Sequence, residues 1–132
     1  MIVADTNLIA YLLIPGDKSA LAESVLKKDA NWAAPLIWRS EFRNVLTLYM
    51  RHEDLSLPQA KQTMGKAEHL LQRNEFMVPS DDVLELTSKK PLSAYDAEFV
   101  VLAQRLNVKL ITLDKPILKA FPRIAFHPDS FK

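Results

Sequence analysis

Asp5, Glu41, Asp96 and Asp114 are the side chains of this sequence best placed by type and spacing to do chemistry together. Asp5 directly follows the apolar run Met1–Ala4, and Asp114 directly follows Lys109–Leu113. Both therefore fall just past the C-terminal ends of predicted strands, the edge at which open α/β sheets bind ligands. Each also has a plain structural reading, because aspartate is among the best helix N-caps. Asp96 shares that ambiguity: Ser93-Ala94-Tyr95-Asp96 spells an S-x-x-D capping box. On a helix, however, Asp96 stacks with Phe99, Val100 and Ala103, which carries it towards the core side.

Glu41 is the acid with the least local excuse. The pattern predicts a helix over Leu36–Arg51, which puts Glu41 in its body, inside a buried stripe of Trp38, Phe42, Val45, Leu46, Leu48 and Tyr49. A carboxylate there must be paired with an arginine, protonated or bound to a cation, since desolvating a lone charge is costly. Gathered at one edge, the four acids would raise one another's pKa values, and a divalent cation would relieve that repulsion. All-oxygen ligands are hard, which suits Mg²⁺ or Mn²⁺ better than zinc or copper.

The elements that must position these acids alternate in type. Strands are expected at Met1–Ala4, Trp32–Ala34, Phe76–Val78, Lys109–Leu113 and, weakly, Ile124–Phe126. Between them come a short helix to Leu13 and a helix over Lys18–Lys28 capped by Asp17. A long helix runs from the Ser56-Leu57-Pro58-Gln59 capping box to about Gln72, a short one from Ser80 to Leu86, and another from Ser93 to Leu106. Parallel strands need crossover connections, and helices of this length supply them, so the expected class is α/β/α with a mostly parallel sheet. Neither Gly16 nor Gly65 sits in a strand-to-helix turn, which removes the phosphate-cradling loops of nucleotide-binding folds.

Composition sets the outer bounds. The 132 residues are 48% hydrophobic, enough for one domain over residues 1–132 with a core of its own. With no cysteine there is no thiol catalysis, thiolate zinc site or disulfide framework, and a reducing, cytoplasmic setting is expected. No run approaches the roughly 20 apolar residues of a membrane span. A net charge of +1 is too small to grip a long duplex, but a short phosphodiester held partly through a cation needs less.

Taken in order, Ile2-Val3-Ala4-Asp5-Thr6-Asn7, Ser40-Glu41-Phe42-Arg43-Asn44-Val45-Leu46, Ser93-Ala94-Tyr95-Asp96-Ala97-Glu98-Phe99-Val100-Val101-Leu102-Ala103 and Leu110-Ile111-Thr112-Leu113-Asp114 resemble the PIN-domain nucleases. Within that family they are similar to the VapC-type toxins of toxin–antitoxin pairs, over nearly the whole chain. The resemblance implies a three-layer α/β/α PIN-like fold and endonucleolytic, Mg²⁺- or Mn²⁺-dependent cleavage of RNA. It places the family's acids on Asp5, Glu41, Asp96 and Asp114, with Thr6, Asn7 and Thr112 beside them to orient the ligands. An antitoxin protein and a second copy of the chain are the implied partners. The further acid that many relatives carry after the fourth is absent, since Lys115, Pro116 and Ile117 follow Asp114.

Other features have blander readings. His52, His69 and His127 lack a metal-binding spacing, and Trp38, Tyr95 and Phe99 are read as packing residues before base-stacking platforms. Arg39, Arg43 and Lys115 could meet phosphate but read first as solvated helix faces. The apolar stripe of Leu57, Ala60, Met64, Ala67 and Leu71 fits core packing or a partner surface. Two other functions compete. A phosphotransfer domain of the dehalogenase or receiver type wants a second aspartate where Asn7 stands, and a non-catalytic scaffold would have no use for all four acids.

Overall fold

The chain starts in the middle of its own sheet. In the computed structural model β1 (Ile2–Ala4) pairs in parallel with β2 (Trp32–Pro35) on one side and β4 (Lys109–Ile111) on the other. Outside these lie β3 (Glu75–Phe76) and β5 (Ala125–Phe126), giving the order β3-β2-β1-β4-β5 with every pairing parallel. The structure describes residues 1–131, and Lys132, the last residue of the expected domain, lies outside the described residues.

Ile2, Val3 and Ala4 are all buried, as are Trp32, Ala33 and Ala34. Successive strand residues face opposite sides, so both faces of the sheet are covered, and the α/β/α layering expected from the sequence is observed. The covering helices are α1 (Thr6–Leu13), α2 (Ser19–Lys28), α3 (Trp38–His52), α4 (Leu57–Leu70), α5 (Ser80–Lys89), α6 (Ala94–Leu106) and α7 (Lys115–Ala120). Of these, α6 packs on β1, β2 and β4, and α1 packs against α2, α3 and α4. None is long and apolar enough to cross a membrane.

Several local expectations are corrected. Lys18, not Asp17, holds the cap position of α2, without a side-chain cap; the turn is closed by Ser19, whose hydroxyl accepts the Gly16 N–H at 2.9 Å. α3 begins at Trp38, two residues later than the pattern suggested, so Glu41 lies in its first turn rather than its body. Leu48 and Tyr49 are exposed at 46% and 37%, leaving Trp38, Phe42 and Leu46 as the buried stripe. Strand β3 begins at Glu75 and ends at Phe76, and α5 extends to Lys89. Pairing with β1 ends at Ile111, so Thr112 and Leu113 already belong to the loop. The Ser56–Gln59 capping box forms in both directions, as the sequence indicates.

Chain order reverses at β1: the strands run outwards through β2 to β3, then return across β1 to β4. Loops leaving β1 and β4 therefore diverge and open a crevice beyond their C-terminal ends, the switch-point position at which such sheets take ligands. Asp5 ends β1, and Thr112-Leu113-Asp114 leaves β4 at that place.

Candidate active site

Asp5 occupies the cap position of α1 by backbone conformation, yet its side chain makes no capping hydrogen bond. Its carboxylate is held from the loop after β4, where the Thr112 hydroxyl donates to Oδ2 at 2.6 Å. Thr112 is fully buried, and the same hydroxyl oxygen accepts the Asp114 N–H at 3.0 Å, so one side chain sets two acids. Asp114 does act as a cap: its Oδ1 accepts the Ile117 N–H at 3.0 Å, which leaves Oδ2 for other partners.

Glu41 is reached from α1. The buried Thr6 hydroxyl donates to its Oε1 at 2.6 Å, joining the first turns of α1 and α3 across 35 residues of sequence. Ser93 caps α6 by accepting the Asp96 N–H at 3.0 Å, but only that half of the expected box forms. The Ser93 side chain also hydrogen-bonds the Asp96 carboxylate, which opposes the rise that burial causes in its pKa. Asn7 is exposed and lines a groove with Tyr11 and Val45.

The electrostatics tie these acids into one set. Burial raises the pKa of Asp5 against the lowering effect of the Thr112 bond, and Asp96 and Asp114 push it further. Burial likewise raises Glu41, partly offset by Thr6, with Asp5, Asp96 and Glu98 adding to the rise. Asp96 is raised by burial and then by Asp114. Ion pairs among the described residues go to other acids, so no Lys or Arg offsets this negative field at close range. Arg39, read as a solvated residue, instead donates from Nε and Nη2 to Glu75 at 2.6 and 2.7 Å and from Nη1 to Glu68 at 2.5 Å. Glu41 forms no ion pair with an arginine among the described residues.

Among the described residues, no three Asp, Glu or His side chains already stand as a closed ligand set. The donor chemistry nevertheless fits a hard divalent cation: oxygen ligands only, no histidine or cysteine among them, and a surplus of negative charge without a cationic neighbour. Trp38 and Phe99 are core residues, while Tyr95 stands 62% exposed beside Asp96. Glu98 is the acid that sequence reasoning passed over. It is half-buried within the otherwise buried run Ala97–Ala103, burial raises its pKa, and it adds to the field at Glu41. An acid interrupting so apolar a run was the available signal.

The fold and site together define an all-parallel α/β domain with acids gathered at its switch point. The PIN domain family model matches residues 2–126, and the chain belongs to that family. It is 25% identical over 126 residues to the ribonuclease VapC3 of Pyrobaculum aerophilum, covering 93% of this chain and 96% of that protein. Its fold matches the crystal structure of PAE2754 from the same organism with a TM-score of 0.75, at 20% identity over 97% of this chain and 90% of the other. A toxin–antitoxin complex from Klebsiella pneumoniae matches at 0.71, with 21% identity and coverage of 97% and 98%.

Proposed function

We propose that this chain is a Mg²⁺- or Mn²⁺-dependent endoribonuclease acting in the cytoplasm, and the toxin of a toxin–antitoxin pair. The observation that carries this reading is a set of carboxylates at the switch point of a PIN-family sheet, each raised first by burial and then by a neighbouring acid: Asp5 by Asp96 and Asp114, Glu41 by Asp5 and Asp96, and Asp96 by Asp114. Asp5, fixed by Thr112, and Asp96, steadied by Ser93 at the start of α6, would be the principal oxygen donors to a cation. Glu41, oriented by Thr6, and Oδ2 of Asp114 would complete the acidic set and position the attacking water. A divalent cation, when bound, supplies Lewis-acid polarisation of the scissile phosphate and a lowered water pKa. The chain's own part is to aim that water in line with the leaving ribose oxygen and to hold the acids oriented around it.

Relatives named as a ribonuclease and as part of a toxin–antitoxin complex support RNA as substrate and an antitoxin as partner, and a homodimer fits the same setting. The test is cleavage of short RNA by Asp5→Asn and Asp96→Asn proteins whose folding is verified by circular dichroism. Mg²⁺-dependent cleavage should fall about 100-fold or more, the scale on which a positioned catalytic group acts. Unchanged cleavage by either variant would overturn the proposal.

A further inference from the structure

Asp96 and Asp114 line one part of a cavity of about 290 Å³. Its walls are mainly apolar: Pro91 and Leu92 from the α5–α6 connection, Pro116, Ile117 and Phe121 from α7 and its end. Asp96 and Asp114 form part of the same lining, so the slot opens onto the acids rather than onto a separate surface. Lys90 also lines the cavity and is exposed, with its ammonium 5.8 Å from the centre of the Phe121 ring.

The size lies at the bottom of the roughly 300–1,000 Å³ range of small-molecule sites, room for one flat heterocycle rather than a larger ligand. Apolar walls suit the faces of such a ring, and an exposed lysine in the lining suits an anion attached to it. A chain carrying flat rings on an anionic backbone, one of whose phosphates reaches Asp96 and Asp114, has that composition. We propose that this slot is a nucleobase subsite: the base next to the scissile phosphate of a single-stranded RNA inserts between Leu92, Pro116 and Phe121, while Lys90 meets the adjoining backbone phosphate. The proposal rests on the nuclease reading and adds to it a place where sequence preference arises.

Binding and cleavage test it separately. An oligoribonucleotide carrying 2-aminopurine at one position in turn, bound to the Asp5→Asn protein so that it stays intact, should show stacking-induced quenching at one position next to the cut site. Filling the slot with Ala120→Leu, at a position of α7 that lines it, should abolish the quenching in that background and weaken binding about 10-fold, the scale of one lost base stack. The exposed Lys90→Gln should weaken binding of all sequences alike, keep the quenching and lower the salt slope by roughly one phosphate contact. In the Asp5-containing protein, removing the base at that position from the RNA should slow cleavage about 10-fold, and Ala120→Leu should erase this penalty. Position-specific quenching without any Mg²⁺-dependent cleavage would keep the subsite and sink the nuclease reading. Cleavage that responds to neither the missing base nor the filled slot would overturn the subsite and leave the cavity to a side chain of a protein partner.

Discussion

Thr112 has no exposed surface, and both ends of its hydroxyl are in use, the hydrogen on Asp5 and the oxygen on the Asp114 N–H. Thr112→Val keeps the shape and removes both bonds, leaving the Asp114 N–H without its partner and Asp5 without its only lowering side-chain contact. Loss of a buried bond of this kind costs about 1–3 kcal/mol, readable as a lower urea midpoint. RNA cleavage should drop about 10–100-fold, the usual effect of losing a residue that orients a ligand. Of the acids, Glu41 drew attention in the sequence for a partly mistaken reason: α3 starts at Trp38, so Glu41 sits in the first turn, where an acid is also favoured by the helix dipole. What marks it in the structure is the bond from Thr6, and no local pattern encodes a contact 35 residues away.

At the level of elements, α3 is fastened to the sheet edge by the charged cluster of Arg39, Glu75 and Glu68, with Trp38 Nε1 also donating to Glu75 at 3.0 Å. This ties the helix bearing Glu41 to β3 and α4 without touching the acids themselves. Arg39→Met, which retains much of the apolar stem, should cost about 1–2 kcal/mol once solvent screening of the partly exposed guanidinium is allowed for, measured by chemical denaturation. The lowered pKa of Glu75, held down by Arg39, makes that contribution present above the ordinary glutamate value of 4.5 and lost as pH falls through the lowered one. The Ser56–Gln59 cap was legible because its partners lie three residues apart. The Arg39 cluster was not, because its partners are 29 and 36 residues away.

Across the whole molecule the site is a place where folding concentrates unpaired negative charge. The raised pKa values of Asp5, Glu41 and Asp96 mean that, without a cation, the folded state holds more protons than the unfolded one. The associated stability is full below the ordinary values of 3.8 and 4.5 and is lost as pH rises through the raised ones. In chelator, Asp5→Asn should therefore melt a few degrees higher than the parent at pH 7, with the difference vanishing near pH 4. Added Mg²⁺ should reverse the order, stabilising the parent by about 2.7 kcal/mol at one hundred times Kd while leaving the variant nearly unmoved. Differential scanning calorimetry at both pH values reads each outcome, and equal melting throughout would remove the charge-concentration account.

The sequence by itself determined the alternation of strands and helices, the parallel class of the sheet and the positions of Asp5 and Asp114 at strand ends, because these follow from periodicities and caps within a few residues. It also specified which four acids could meet. Only the tertiary structure decided that β1 lies between β2 and β4, so that loops from both ends of the chain open at one crevice. It decided as well that Thr6 and Thr112 take up the acids, that Glu98 joins their field and that an apolar slot adjoins Asp96 and Asp114. Strand order and long-range hydrogen bonds are won by burial of the whole core at once, and that sum has no local signature.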